Sequence, residues 1–406
     1  MKLFKKLNKW QFLLLALVFF TGLFIRFHRL QSVPPSLYYD EVDLGYQARS
    51  LLQTGKDYRG LKNPFYVLSF NSDRTPLPAY VTAVSTAIFS SPQMQVRAGH
   101  AFLGAVVVVL AFYLTLLLSE NFWASLAVSI IFATSPWQIQ FSRWAYEGPT
   151  MLAVYLTGLI AFFSWLKTKK ISLFYISAFL LSLSLYTYRT MSLFTPLTFV
   201  VLITIYRKQI FKLPLKHLLA TGFLVAAISL PFLYSTTLGA VDQPRIAQLS
   251  LISDTKVPIQ VMRGRELDSG DLTNPQIGSR PVWYSYLFHS KPVVWAENLA
   301  RNYYQAFSTD FLFLNGDPNL RHSPPNQGML LGIDIIGLSL GLWFVLTHLK
   351  DKRYQWLLSW LVLSPLPSAL TVDGGNHASR LFIFSVPLLI VIGIGYWQAV
   401  KLILKV

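Results

Sequence analysis

A succession of apolar runs, several close to the roughly 20 residues an α-helix needs to cross a bilayer, constrains this chain more than anything else. Hydrophobic residues make up 53% of the 406 and charged residues only 13%, against about 25% charged in an ordinary soluble domain. Such a chain cannot cover a water-facing surface in the usual way, and the expected fold class is an all-α integral membrane protein. The net charge of +17 comes with no nucleic-acid motif, so no nucleic-acid partner is expected. In a membrane protein basic residues collect in cytoplasmic loops, and the charge becomes a topology signal. The absence of cysteine excludes disulfides, thiolate metal sites and cysteine nucleophiles.

The predicted spans are 11–25, 96–118, 122–140, 150–166, 171–187, 192–206, 218–234, 329–348, 354–371 and 381–400. The N-terminal run follows Lys2, Lys5, Lys6 and Lys9 and leads into Arg26-Phe27-His28-Arg29. It resembles a signal peptide without a small-residue cleavage site, and is read as an uncleaved first span. The short connections on one side then hold Lys167, Lys169, Lys170, Arg207, Lys208, Lys350, Lys352 and Arg353, with only Glu120 and Asp351 among the acids. That is the positive-inside pattern. It places both termini in the cytoplasm of a plasma (inner) membrane protein and the polar site outside. The leftover apolar segment 77–89 would invert every later loop if it crossed, and is read as an interfacial helix. The chain is expected to be one polytopic domain, 1–406, with a first outer connection at 26–95 and a large one at 235–328 that is too long to be a bare loop.

The residues able to do chemistry fall in the outer connections. Asp40-Glu41 follows Pro34-Pro35 and opens a helix expected over 41–53, with Gly55 as its stop. Such carboxylates suit a general base and an orienting group, although Asp40 reads equally as an N-cap. Arg74, beside the interfacial segment, suits a lipid phosphate, because its planar fork binds two oxygens at once; a salt bridge to Asp73 is the plainer reading. Arg143 and Glu147 stand between two spans, where charge is costly. Arg189 closes the fifth span, behind tyrosines that fit an interfacial belt. Arg321 and His322 lie in a turn-rich stretch with Asp317, and His377 and Arg380 fall between the last two spans. Asp317 and His322 show no compact ligand spacing in sequence, and no metal or other cofactor is expected.

The order of these motifs resembles the family 39 glycosyltransferases, a group similar to the protein O-mannosyltransferases and the lipid A aminoarabinose transferases. The Asp-Glu pair after span one, the following helix, Arg74-Thr75-Pro76-Leu77 as an altered Lys-Pro-Pro-Leu, and Arg97 opening span two carry the likeness. The stretch from Ser135 to Glu147 adds to it. The resemblance implies a GT-C membrane enzyme that takes a sugar from a polyprenyl-phosphate donor and inverts the anomeric centre. It implies Asp40 as the base toward an acceptor hydroxyl, with Glu41 and Glu147 in support. Arg74, Arg97, Arg143, Arg189, Arg321, His322, His377 and Arg380 become the expected donor-phosphate and sugar contacts. The partners are the lipid-linked donor, membrane lipids and an acceptor that is a lipid, a protein or a polysaccharide. A lipid or glycan transporter and a glycan ligase of the same broad class are the alternatives. The first should carry charges near mid-membrane, and the second lacks a reason for the Asp-Glu pair.

Overall fold

The structure, a computed structural model, describes residues 7–62, 66–69, 73–237, 249–268 and 281–404. Asn71 and Ser72 of the first outer connection, and 238–248 and 269–280 of the large one, lie outside the described residues. The chain runs through α1 (Lys9–Phe27), α2 (Tyr39–Thr54), α3 (Leu77–Ile88), α4 (Pro92–Ser119), α5 (Phe122–Thr134), α6 (Pro136–Arg143), α7 (Glu147–Thr168), α8 (Ile171–Leu183), α9 (Met191–Ile210) and α10 (Leu215–Thr237). The long connection that follows contributes α11 (Lys256–Asp268), α12 (Ser285–Phe288) and α13 (Lys291–Gln305). The remaining helices are α14 (Asp334–Thr347), α15 (Lys352–Leu363), α16 (Leu366–Ala369) and α17 (Phe382–Leu404). A two-residue antiparallel pairing of Val67–Leu68 with Asp73–Arg74 is the one sheet among the described residues.

Six helices, α1, α4, α7, α9, α10 and α17, are long and apolar enough to cross a bilayer, and the bent pair α5–α6 makes a seventh if it is one span. The bend is 51° and falls at Ser135-Pro136. The proline has no N–H to continue the ladder, and Ser135 starts a new helix by accepting from Gln138 N. Besides this bent third span, three more of the ten expected spans are shorter or broken. The fifth is an apolar helix over Ile171–Tyr186, and the eighth begins only at Asp334. The ninth breaks at Ser364-Pro365 into α15 and α16. Helix length therefore carries six or seven spans rather than ten.

Small residues let helices approach in the manner of membrane bundles. At Gly341 in α14 and Gly395 in α17 an added Cβ would collide with facing backbone. The apolar segments of α1 and α10 are only 17% and 6% buried, so these two helices form the lipid-facing rim. Arg26, at the end of α1, is buried and donates to the carbonyls of Gly22, Phe132 and Ala133. It pins α1 to the C-terminal end of α5, where a cation also complements the helix dipole.

The two ends of the bundle differ in charge. Glu120 pairs with Lys167 at 2.9 Å and with Arg353 at 3.1 Å, and Lys352 donates to Gln209. Three basic connections, 167–170, 207–217 and 349–353, thus meet Glu120 or one another at one end. Helix α7 runs from Glu147 to that end, and its 22 residues span about 33 Å at 1.5 Å each. At the other end, the long connection before α14 is stitched down by Leu251 N to Leu370 O and Val372 N to Leu249 O. Because the chain lacks cysteine, one cysteine can report sidedness. Cysteine at Ser90 or Ser250 is expected to react with an impermeant thiol reagent from outside the cell; labelling of S250C only after permeabilisation would reverse the orientation.

Candidate active site

Helix α2 aims the first carboxylates. Its N-cap is Tyr38, whose N–H donates to Glu41 Oε2 at 3.0 Å, so Glu41, three residues in, caps the helix. Asp40 is not the cap that the sequence allowed. Successive helical residues point about 100° apart, so Asp40 and Glu41 cannot share a face. Glu41 turns inward, wholly buried, and its oxygens accept from Arg97 Nε at 2.7 Å and Arg97 Nη2 at 2.9 Å, and from Ala145 N at 3.2 Å. Arg97, equally buried, also donates to the carbonyls of Leu30, Pro34 and Ser36. Arg143 donates to the carbonyls of Ile25, Arg26 and Val33. Arg97 and Arg143 were expected to contact the donor, and Glu41 to support Asp40. Instead all three lie outside the cavity lining, because they are committed to holding the turn that delivers α2.

Asp40 faces a cavity of about 410 Å³. One of its oxygens is paired with Arg74 and the other with Arg321 Nη1 at 3.1 Å. Arg74 is the hub of the carboxylates. Its Nη2 meets Asp40, its Nη1 lies 3.4 Å from Glu147, and its Nε lies 3.2 Å from Asp43. Burial disfavours its charge, but Glu147, Asp40 and Asp43 outweigh that and hold the guanidinium above its ordinary pKa. All three nitrogens of Arg74 face carboxylates, which is not the open fork expected for a donor phosphate. Asp43 itself is buried and accepts from Tyr58 and Ser69. The sequence reading passed over it as a site residue, although its spacing of three from Asp40 puts both on one helical face.

The opposite wall is basic. Arg189, Arg321, His322, His377 and Arg380 all line the cavity. Asp317, buried beneath them, organises this wall. Its Oδ2 accepts from Ala378 N and from His322 Nδ1, both at 2.7 Å, and its Oδ1 accepts from Asn319 N. Burial opposes its charge, but these donors keep its carboxyl below the usual carboxylate range. One carboxylate thus clamps two loops far apart in sequence. Arg380 is oriented by donating to Thr371 Oγ1 and Val372 O. Burial, then the nearby charges of Arg380 and His322, push His377 down to about 3, so it is a neutral imidazole at ordinary pH. Between the walls lie Tyr146, which donates to Ser379 O, and Tyr188; burial raises both phenols, so they stay un-ionised.

Asp317, His322 and His377 offer ligand atoms within 4.8 Å of one another, a closeness that sequence spacing did not show. The set fits a cation poorly, since the carboxylate already accepts three hydrogen bonds and the charge of Arg380 bears on His377.

With the geometry in view, the likenesses to known proteins can be read. Residues 73–234 match the model of the dolichyl-phosphate-mannose-protein mannosyltransferase family. That stretch contains Arg74, Arg97, Arg143, Glu147 and Arg189. No curated protein matches the chain. Among solved structures, ArnT from Cupriavidus metallidurans bound to undecaprenyl phosphate superposes with a TM-score of 0.55 at 13% identity, over 96% of this chain and 60% of that one. The archaeal oligosaccharyltransferase AglB from Archaeoglobus fulgidus, in complex with an inhibitory peptide and a dolichol-phosphate, gives 0.56 at 12% identity, over 97% and 50%. The chain therefore spans 50% to 60% of the length of these two structures. Over residues 73–234 the chain is thus similar to that family, in line with the resemblance of its motifs, and over nearly its whole length it shares the fold of these two structures.

Proposed function

We propose that the protein transfers a sugar from a polyprenyl-phosphate carrier to an acceptor hydroxyl at the outer face of the membrane. The observation that carries this reading is a single cavity with a carboxylate wall facing a basic wall, Asp40 being shared between Arg74 and Arg321. The acceptor oxygen attacks the anomeric carbon while its proton passes to Asp40. The bond from that carbon to the phosphate oxygen breaks, and the anomeric configuration inverts in this single displacement. The leaving group is already a stable anion, so it needs fixed cations more than a strong acid. Arg189, Arg321 and Arg380 supply them, with His322 and His377 as hydrogen-bonding partners. Glu147, on the same wall as Asp40, faces the positive charge that develops on the sugar. Arg74 occupies the centre of three carboxylates and holds them in place. No metal is required by this scheme.

The reading is tested by lipid-phosphate binding. Undecaprenyl phosphate should raise the melting temperature of the purified protein. R380A should bind it more weakly, the loss of a charged hydrogen bond being worth about 1.5–3 kcal/mol. No binding by the wild type, or equal binding by the variant, would remove the basic wall from the mechanism. Mass spectrometry of cell-envelope glycans with and without the protein would identify the sugar.

A further inference from the structure

A second concavity of about 430 Å³ lies between α3, α4, α7 and α8, beside the charged cavity. Its walls follow helical stripes. Helix α3 contributes Leu77, Tyr80, Val81 and Val84, and α7 contributes Thr150, Ala153, Val154 and Thr157. Both sets are spaced i, i+3, i+4, i+7, a single face of each helix. The groove is open to one side, since Tyr80 and Val84 are exposed. It is apolar apart from two threonines and the Tyr80 hydroxyl, and the Thr157 hydroxyl is satisfied by Ala153 O.

The groove is continuous with the charged cavity along three elements. Helix α7 begins with Glu147 in the cavity and reaches Thr150 in the groove one turn later. Helix α3 follows directly on Arg74-Thr75, which line the cavity, and Thr75 Oγ1 donates to Thr187 O. The third element, α8, contributes Leu180 and Leu183 to the groove, five residues before Tyr188 lines the cavity. Thr150 stands at the join, almost fully buried, and its hydroxyl has no hydrogen-bond partner among the described residues. A ligand with a polar head and an apolar chain would use both features.

The two walls of the charged cavity select which substrate the chain belongs to. The carboxylates Asp40 and Glu147, and every groove residue, come from the chain before residue 190. Arg321, His322, His377 and Arg380 come from the far half of the sequence, while Arg74, held among the carboxylates, and Arg189 stand in the groove's half. The groove thus continues from the wall that activates a hydroxyl. A chain leaving from the phosphate would start on the other wall.

We infer that this groove holds the hydrocarbon chain of a lipid acceptor, whose head-group hydroxyl is thereby presented to Asp40 and Glu147. The inference rests on the proposed transferase reading and adds the acceptor class. It predicts that the sugar ends in the fraction of the cell envelope extractable by chloroform and methanol.

The groove can be filled without touching the charged cavity. Val84 is 63% exposed, so V84W adds bulk at the groove's open side without displacing the core, and A153L narrows it from the facing helix. Both variants should bind undecaprenyl phosphate like the wild type and lose at least about ten-fold in sugar transfer to the extractable lipid. Undiminished transfer in both would overturn the inference, and so would sugar found in the protein or polysaccharide fraction. Loss of undecaprenyl phosphate binding in V84W would instead assign the groove to the donor's tail. A wild-type protein that neither binds undecaprenyl phosphate nor transfers sugar fails the transferase reading itself, a result distinct from all of these.

Discussion

Asp40→Asn is expected to lower sugar transfer by about 100-fold or more while leaving lipid-phosphate binding in place. Asparagine keeps the shape of aspartate but cannot take the acceptor's proton. The cap of α2 is untouched by the change, because Glu41 rather than Asp40 accepts from Tyr38 N. What the variant removes is the charge between Arg74 and Arg321. Arg74 retains Asp43 and Glu147, so the carboxylate wall should keep its geometry. The measurement is initial rate in proteoliposomes, paired with thermal-shift binding of undecaprenyl phosphate on the same preparation. An asparagine variant with wild-type turnover would end the assignment of Asp40 as base. Suspicion would then move to Glu147, the other carboxylate that both lines the cavity and faces Arg74, with Glu147→Gln as the next variant.

Much of the architecture was legible in the order of residues. The apolar runs gave the helices, because a membrane helix needs little more than length and apolar composition. The basic connections were also legible: Glu120, Lys167 and Arg353, read separately as inner-side residues, meet in space. The span count was less so. Pro136 and Pro365 sit inside apolar runs that a hydropathy reading treats as continuous, and there the helix breaks, whereas Pro196, Pro231 and Pro387 sit within continuous helices.

The site was legible as a set of residues but not as a division of labour. Arg74, Arg97, Arg143, Arg189, Arg321 and Arg380 all read as donor contacts, since charge near a membrane is costly and therefore invites a role. Structure satisfies such charges in two ways, and only partners tell them apart. Arg97 and Arg143 end on backbone carbonyls, while Arg189, Arg321 and Arg380 line the cavity. Asp317 illustrates the other limit. Its role depends on Ala378 N, 61 residues away, and no local pattern encodes that meeting. The separation of Asp40 from Glu41, by contrast, was available from helix geometry alone once Gly55 fixed the segment as a helix.

Arg97→Ala should be the most destabilising single change at this end of the molecule. Arg97 and Glu41 are both fully buried, and removal of one partner leaves the other as an uncompensated charge, typically costing about 3–5 kcal/mol. The carbonyls of Leu30, Pro34 and Ser36 would lose their donor as well, and the turn into α2 would no longer be held. Lysine should not rescue the loss, because one ammonium cannot reproduce a fork that reaches both oxygens of Glu41 and three carbonyls. Removing both charges should do better than removing one: Arg97→Met with Glu41→Leu leaves no stranded ion and is expected to recover part of the stability. Melting temperature in detergent, with and without undecaprenyl phosphate, distinguishes this from a substrate contact. A structural pair lowers the melting temperature of the free protein. A phosphate ligand would leave the free protein unchanged and remove only the increment that the lipid phosphate adds, and that pattern in Arg97→Ala would return Arg97 to the binding site.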